Sequence, residues 1–165
     1  MKDTYLVGNY SINCKGNLID LSTPKIMSIV NTTPDSFYDG GKYNTIEKAL
    51  QKVELDISNN TTFIDVGGYS SKPNANHVTE EEELKRTIPT IGAILNSFPK
   101  AVISIDTFRG KVAKEAIQAG AAMINDISAF ELDKEMINTL NTCEVPYVLM
   151  HMQVVGKIDL DTKPC

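Results

Sequence analysis

Between residues 26 and 150 the chain repeats one pattern: a strand-sized apolar run, a polar loop, then a stretch with apolar residues at helical spacing. Strands alternating with helices at this spacing form a parallel sheet with right-handed crossovers. The first unit shows the pattern most clearly. Ile26-Met27-Ser28-Ile29-Val30 contains no Gly or Pro and suits a strand buried on both faces. Asn31-Thr32-Thr33-Pro34-Asp35-Ser36 follows at once, then Phe37 and the pair Gly40-Gly41. Such a string continues neither strand nor helix, so it is a loop at the strand's carboxyl end. In parallel α/β folds the loops at that end hold the chemistry. Turn preference accounts for each of these residues taken singly, but poorly for the whole string.

Ahead of this unit, Ser11–Cys14 and Asn17–Asp20 flank Lys15-Gly16 and read as a β-hairpin. After it, Asn44 is expected to cap a helix with Glu47 as its capping-box partner, and Ile46, Ala49, Leu50, Val53 and Ile57 form the inward stripe. Thr62–Val66 reads as the second core strand and opens at Gly67-Gly68 into the loop Tyr69–Asn76. Thr79 caps the next helix with Glu82, and Pro89 is expected to kink it. Ala101–Ile105, ending at Asp106, is the third strand; Lys111–Ala119 is a helix with Gly120 as its C-terminal stop. Ala121–Ile124, a helix near Asp133–Asn141 and the strand Pro146–Met150 complete the series. Five strands and four helices are thus expected. Periodicity alone admits either part of an eight-stranded barrel or a doubly wound five-stranded sheet.

Asn31, Asp106, Asn125 and Met150 all fall at carboxyl ends of these strands and so converge on one mouth. A carboxylate accepts from N–H groups, and an amide both donates and accepts. A flat heterocycle between Asp106 and Asn125 would suit both. As a lone residue, Asp106 serves equally well as an N-cap, and Asn125-Asp126 as a turn.

Composition narrows the partners. Sixteen Lys and Arg against 21 Asp and Glu give a net charge of -5, with no basic cluster, which argues against nucleic acid. The longest apolar runs are strand-sized, so no membrane span is expected. The start MKDTYLVGNY lacks a signal peptide's apolar core, so the expected location is cytoplasmic. Cys14, Cys143 and Cys165 lie far apart and read as free thiols.

Three strings carry a resemblance. NTTPDSFYDGG (from Asn31), FIDVGGYSSKPNA (Phe63–Ala75) and VISIDTFRGKVAKEAIQAGAAMINDIS (Val102–Ser128) resemble, in order, the first, second, and third-to-fourth strand signatures of dihydropteroate synthases. VLMHM, ending at Met152, is similar to that family's fifth strand. The resemblance implies an α/β fold of the (β/α)8 TIM-barrel family. The chain would be one pterin-binding domain, residues 1–165, holding the hairpin and about the first five βα units. It implies a transferase of folate biosynthesis, a sulfonamide target, that joins 6-hydroxymethyl-7,8-dihydropterin pyrophosphate to p-aminobenzoate and releases pyrophosphate.

By the same resemblance, Asp106, Asn125 and Met150 bind pterin. Asn31 holds Mg2+, and Asp35 steadies the cationic pterin fragment as pyrophosphate leaves. Phe37 and Pro73 wall the p-aminobenzoate site, while Ser71 and Lys72 grip the anion. The family is usually homodimeric. The second loop departs from the pattern: Ser71-Lys72 stands for Thr-Arg, and Tyr69 for the usual Glu. Lys keeps the charge but lacks the bidentate fork of Arg. The family's residues after strands six to eight have no counterpart in these 165 residues, so little or no turnover is expected from them alone. Two rival readings share part of the pattern: a corrinoid-type pterin-binding methyltransferase domain and an inactive remnant.

Overall fold

The computed structural model describes residues 10–32, 42–69 and 77–150. The strands β1 (Ser11–Cys14) and β2 (Asn17–Asp20) form an antiparallel hairpin around Lys15-Gly16, as expected. The core strands follow: β3 (Met27–Asn31), β4 (Phe63–Gly67), β5 (Val102–Asp106), β6 (Met123–Asp126) and β7 (Tyr147–Leu149). They lie parallel in the order β3-β4-β5-β6-β7. Helices α1 (Lys42–Ser58), α2 (Glu80–Ser97), α3 (Gly110–Ala119) and α4 (Glu135–Thr142) make the crossovers. Consecutive parallel strands in chain order, each followed by a helix, are the layout of a (β/α) barrel wall, and the doubly wound alternative is set aside.

Two local expectations need adjusting. The first helix already begins at Lys42, so Asn44 lies within it and is not its cap. Neither Lys42 nor Tyr43 is Gly or Pro, so both are compatible with helix ahead of Asn44. Pro89 lies inside α2, on its exposed side, and α2 extends from Glu80 to Ser97 around it. The strands β3 and β4 end one residue later than their apolar runs, while β5 closes on Asp106 as read and β6 on Asp126. Ladder hydrogen bonds are made by backbone, so pairing continues onto Asn31, Gly67, Asp106 and Asn125 whatever side chain they carry. Elsewhere the local chemistry is as read: Thr79 accepts from the backbone N–H of Glu82 at 3.2 Å, and Gly120 ends α3 at φ 117. Cys14 is buried and Cys143 half-buried, both free.

Side chains alternate across the sheet, which separates two environments. Facing the helices, Val30, Ile64, Val66, Ile103, Ile105 and Ile124 pack with Val53, Ile91, Ile94, Val112 and Met136 in the main core. On the opposite face the registers stack three rows. The lowest, Met27, Phe63 and Val102, is apolar and packs under the hairpin with Cys14, Ile12 and Ile19. The hairpin therefore plugs the amino end of the sheet. The middle row is Ile29, Asp65, Ser104 and Met123, and the top row is Asn31, Gly67, Asp106, Asn125 and Val148. Layered rows of this kind fill the interior of a barrel.

Among the described residues each outer strand pairs on one side only, and the inner face beside them is uncovered. Ile29 is 56% exposed, Val148 37% and Met150 40%. Unpaired edges next to apolar side chains invite association. A polypeptide of these 165 residues is expected to bind a hydrophobic dye and to self-associate as its concentration rises. Light scattering that showed a dye-silent monomer at all concentrations would contradict this.

Candidate active site at the carboxyl end of the sheet

The top row gathers three of the residues expected from sequence. Asn31, Gly67, Asp106 and Asn125 are register partners across β3, β4, β5 and β6. Gly67 is the reason they can share a site. A Cβ placed there would stand 3.2 Å from Asp106 Oδ2 and 3.5 Å from Asn31 Oδ1. Any side chain at Gly67 would fill the space between them. Met150 follows β7 on the same side, exposed, its N–H donating to the Asp126 carbonyl at 3.4 Å. The expected residues Asp35, Phe37, Ser71, Lys72 and Pro73 lie outside the described residues. Among the described residues no cluster of three or more His, Cys, Asp and Glu forms a metal cage.

Asp106 is not a helix cap: α3 starts after Arg109, and its first N–H, that of Gly110, donates to Asp133 Oδ2 at 2.7 Å. The Asp106 carboxyl group is pushed up to about 7, first by burial and then by the charges of Asp65, Glu83 and Asp126. A buried acid with that proton affinity is a group poised to exchange its proton on binding. Asn125 and its neighbour divide the labour. Asp126 is fully buried on the helix side, where Oδ1 accepts from the N–H and hydroxyl of Ser128 and Oδ2 from the Phe130 N–H and Tyr147 hydroxyl, all at 2.7–2.8 Å. It shapes the turn, so the turn reading holds for Asp126. Asn125 faces the mouth.

Two groups escaped the sequence reading. Asp65, only 2% exposed, sits one row below the mouth and accepts from Asn125 Nδ2 at 2.9 Å. Burial pushes its carboxyl group up, opposed in part by its polar neighbours. An Asp inside the otherwise apolar FIDV was the available signal, since carboxylates are almost never fully buried without a partner. The second is a strut. Glu83 accepts from the Thr107 hydroxyl at 2.7 Å and from Arg109 Nη1, while Arg109 Nη2 donates to the Val78 carbonyl at 2.7 Å. The Arg109 guanidinium lies 4.8 Å from the Phe108 ring centre and 5.4 Å from that of Tyr69. It joins the far end of the second loop to the turn after Asp106. Nothing in the sequence spacing links Glu83 to Arg109.

His77 is exposed, its ring and that of Tyr69 standing near perpendicular with centres 6.1 Å apart. A hollow of about 390 Å3 lined by Ile57, Thr61, Phe98 and Lys100 lies at the opposite, amino end of the sheet. That hollow does not belong to the mouth.

Comparison with known proteins follows from this geometry. Residues 27–162 match the family described as pterin binding enzyme. A dihydropteroate synthase from Clostridium beijerinckii is 50% identical over 126 residues, covering 76% of this chain and 46% of the relative. One from Haemophilus influenzae is 42% identical over 135 residues, covering 82% and 48%. The solved Xanthomonas albilineans dihydropteroate synthase with 4-aminobenzoic acid superposes with a TM-score of 0.81 at 38% identity, over 88% of this chain and 52% of that one. Its structure in complex with 7,8-dihydropteroate gives 0.77 at 36% identity, over 90% and 53%. The chain spans about half the length of the relatives it matches.

Proposed function

This chain belongs to the pterin-binding enzyme family, and from that premise we propose that it serves the dihydropteroate synthase reaction. The row Asn31–Gly67–Asp106–Asn125, opening at the carboxyl end of the sheet, carries the reading. Its relatives bear the synthase name, which favours that reaction over a corrinoid methyltransferase.

Asp106 and Asn125 receive the amino-pyrimidinone edge of the pterin, and Met150 lies against its face. In the reaction the bond from the pterin methylene to the pyrophosphate oxygen breaks, and its electron pair leaves with pyrophosphate. The p-aminobenzoate nitrogen then forms the new C–N bond and loses a proton. Asp35 steadies the cationic methylene carbon, and Ser71 and Lys72 hold the departing anion. Phe37 and Pro73 position the benzoate ring. Asn31 would hold Mg2+: its amide oxygen is a hard ligand beside the space that Gly67 leaves open, and the ion would neutralise pyrophosphate charge when bound. The same reading takes the cytoplasm as location, a homodimer as assembly and sulfonamides as competitors of p-aminobenzoate.

The test is calorimetric titration with 6-hydroxymethylpterin beside a condensation assay. Pterin binding is expected. Turnover by these 165 residues alone is expected to fall short of the Clostridium beijerinckii synthase by on the order of 10²–10³ or more, the usual loss when one preorganised stabiliser of developing charge is missing. A chain that binds no pterin, under conditions where its fold is intact, overturns the proposal.

A further inference from the structure

The middle row explains how the mouth is set. Every residue of β4 is buried, Asp65 included. Its Oδ2 accepts from Asn125 Nδ2, whereas Asn125 Oδ1 is buried without a hydrogen-bond partner among the described residues. An amide has a donating end and an accepting end, and whichever neighbour claims one end orients the other. Here one of the two N–H donors of the Asn125 amide is given to Asp65, which sets which end of the amide lies toward Asp65. The accepting end is left over, in the same row as Asp106, whose ionised carboxylate also only accepts.

We infer that Asp65 is a positioning residue that locks the Asn125 carboxamide with its oxygen toward the ligand, so that Asn125 and Asp106 select a heterocycle edge bearing two adjacent N–H donors. The inference rests on the pterin reading and deepens it: the edge is the ring N3–H with its 2-amino group. A 2-oxo ring of the same shape would set a carbonyl against one of the acceptors and leave both unpaired in a buried place. Sites built to hydrogen-bond a ligand reject analogues for this reason.

Two variants separate the position of the acceptor from its charge. Asp65→Asn keeps an oxygen that accepts from Asn125, while Asp65→Ala removes it. In ligand-free protein, NMR of side-chain amides is expected to show the Asn125 Nδ2 protons unchanged in kind in Asp65→Asn and shifted to those of an unrestrained amide in Asp65→Ala. Calorimetric titration with 6-hydroxymethylpterin and its 2-oxo counterpart, 6-hydroxymethyllumazine, reads the consequence. The parent and Asp65→Asn are expected to prefer the pterin by about tenfold or more, and Asp65→Ala to lose most of that preference. Parent-like Asn125 signals or an undiminished preference in Asp65→Ala overturns the inference, as does loss of preference in Asp65→Asn. A parent that binds neither compound sinks the pterin reading instead, and the NMR comparison still decides whether Asp65 holds Asn125.

Discussion

Asp106→Asn is expected to weaken pterin binding by about ten- to a hundred-fold and, in the same protein, to raise stability at pH 8. The binding loss follows from the acceptor. A hydrogen bond to a charged group contributes about 1.5–3 kcal/mol, and Asn replaces one accepting oxygen with a donor facing an N–H. Asp106 lies within a strand ladder, so no ordering cost offsets what it contributes; in the proposed mechanism Asp35 acts on the departing bond and not on the pterin ring. Asp35→Asn is therefore expected to slow the chemical step and spare pterin affinity. The stability gain follows from burial. The folded carboxyl group has its pKa raised from 3.8 to about 7 by burial and by Asp65, Glu83 and Asp126. Between those two values the folded chain keeps a proton that the unfolded chain gives up, so stability falls as pH climbs from about 4 to about 7. Below that window both states are protonated and the cost vanishes. At about 1.4 kcal/mol for each unit, the loss at pH 8 reaches roughly 4 kcal/mol as an upper figure. Asn carries no charge and escapes it. Denaturant melts at pH 5 and pH 8 are expected to show a smaller fall for Asp106→Asn than for the parent, while the parent's pterin affinity rises over the same interval. Equal pH dependence in the two proteins would show that Asp106 is not held in this environment.

Arg109→Ala is the second large effect, and it acts on the fold. The Glu83 side chain is fully buried and Arg109 nearly so. Removing the guanidinium strands a buried carboxylate and leaves the Val78 carbonyl without its donor. Breaking a buried pair from one side costs about 3–5 kcal/mol, because the remaining charge is uncompensated. Burial already pushes the Glu83 carboxyl group up, against the pull of Thr107 and Arg109. Without Arg109 it takes up a proton more readily. The loss is therefore expected to be larger at pH 8 than at pH 5, and Glu83→Gln placed on Arg109→Ala is expected to recover part of it. Guanidinium melts of the three proteins measure this. A cost below about 1 kcal/mol for Arg109→Ala would mean that Glu83 is solvated.

Much of this was written locally in the chain. The apolar runs, the Thr79 cap, Gly120 and the hairpin at Lys15-Gly16 each obey short-range rules, so element order and parallel pairing were legible before any contact was known. Asn31, Asp106 and Asn125 were legible too, because a polar residue closing an apolar strand is a local anomaly. Their alignment in one row was not. Register depends on which backbone groups pair between strands dozens of residues apart, and that pairing put Gly67 between Asn31 and Asp106. The buried partnerships were equally invisible: Asp65 meets Asn125 across 60 positions, and Glu83 meets Arg109 across 26. Spacing in sequence carries no trace of such pairs. Sequence decided which groups could do chemistry; the tertiary structure decided which oxygen each presents and how tightly it holds a proton, because burial and neighbouring charge exist only once the strands lie side by side.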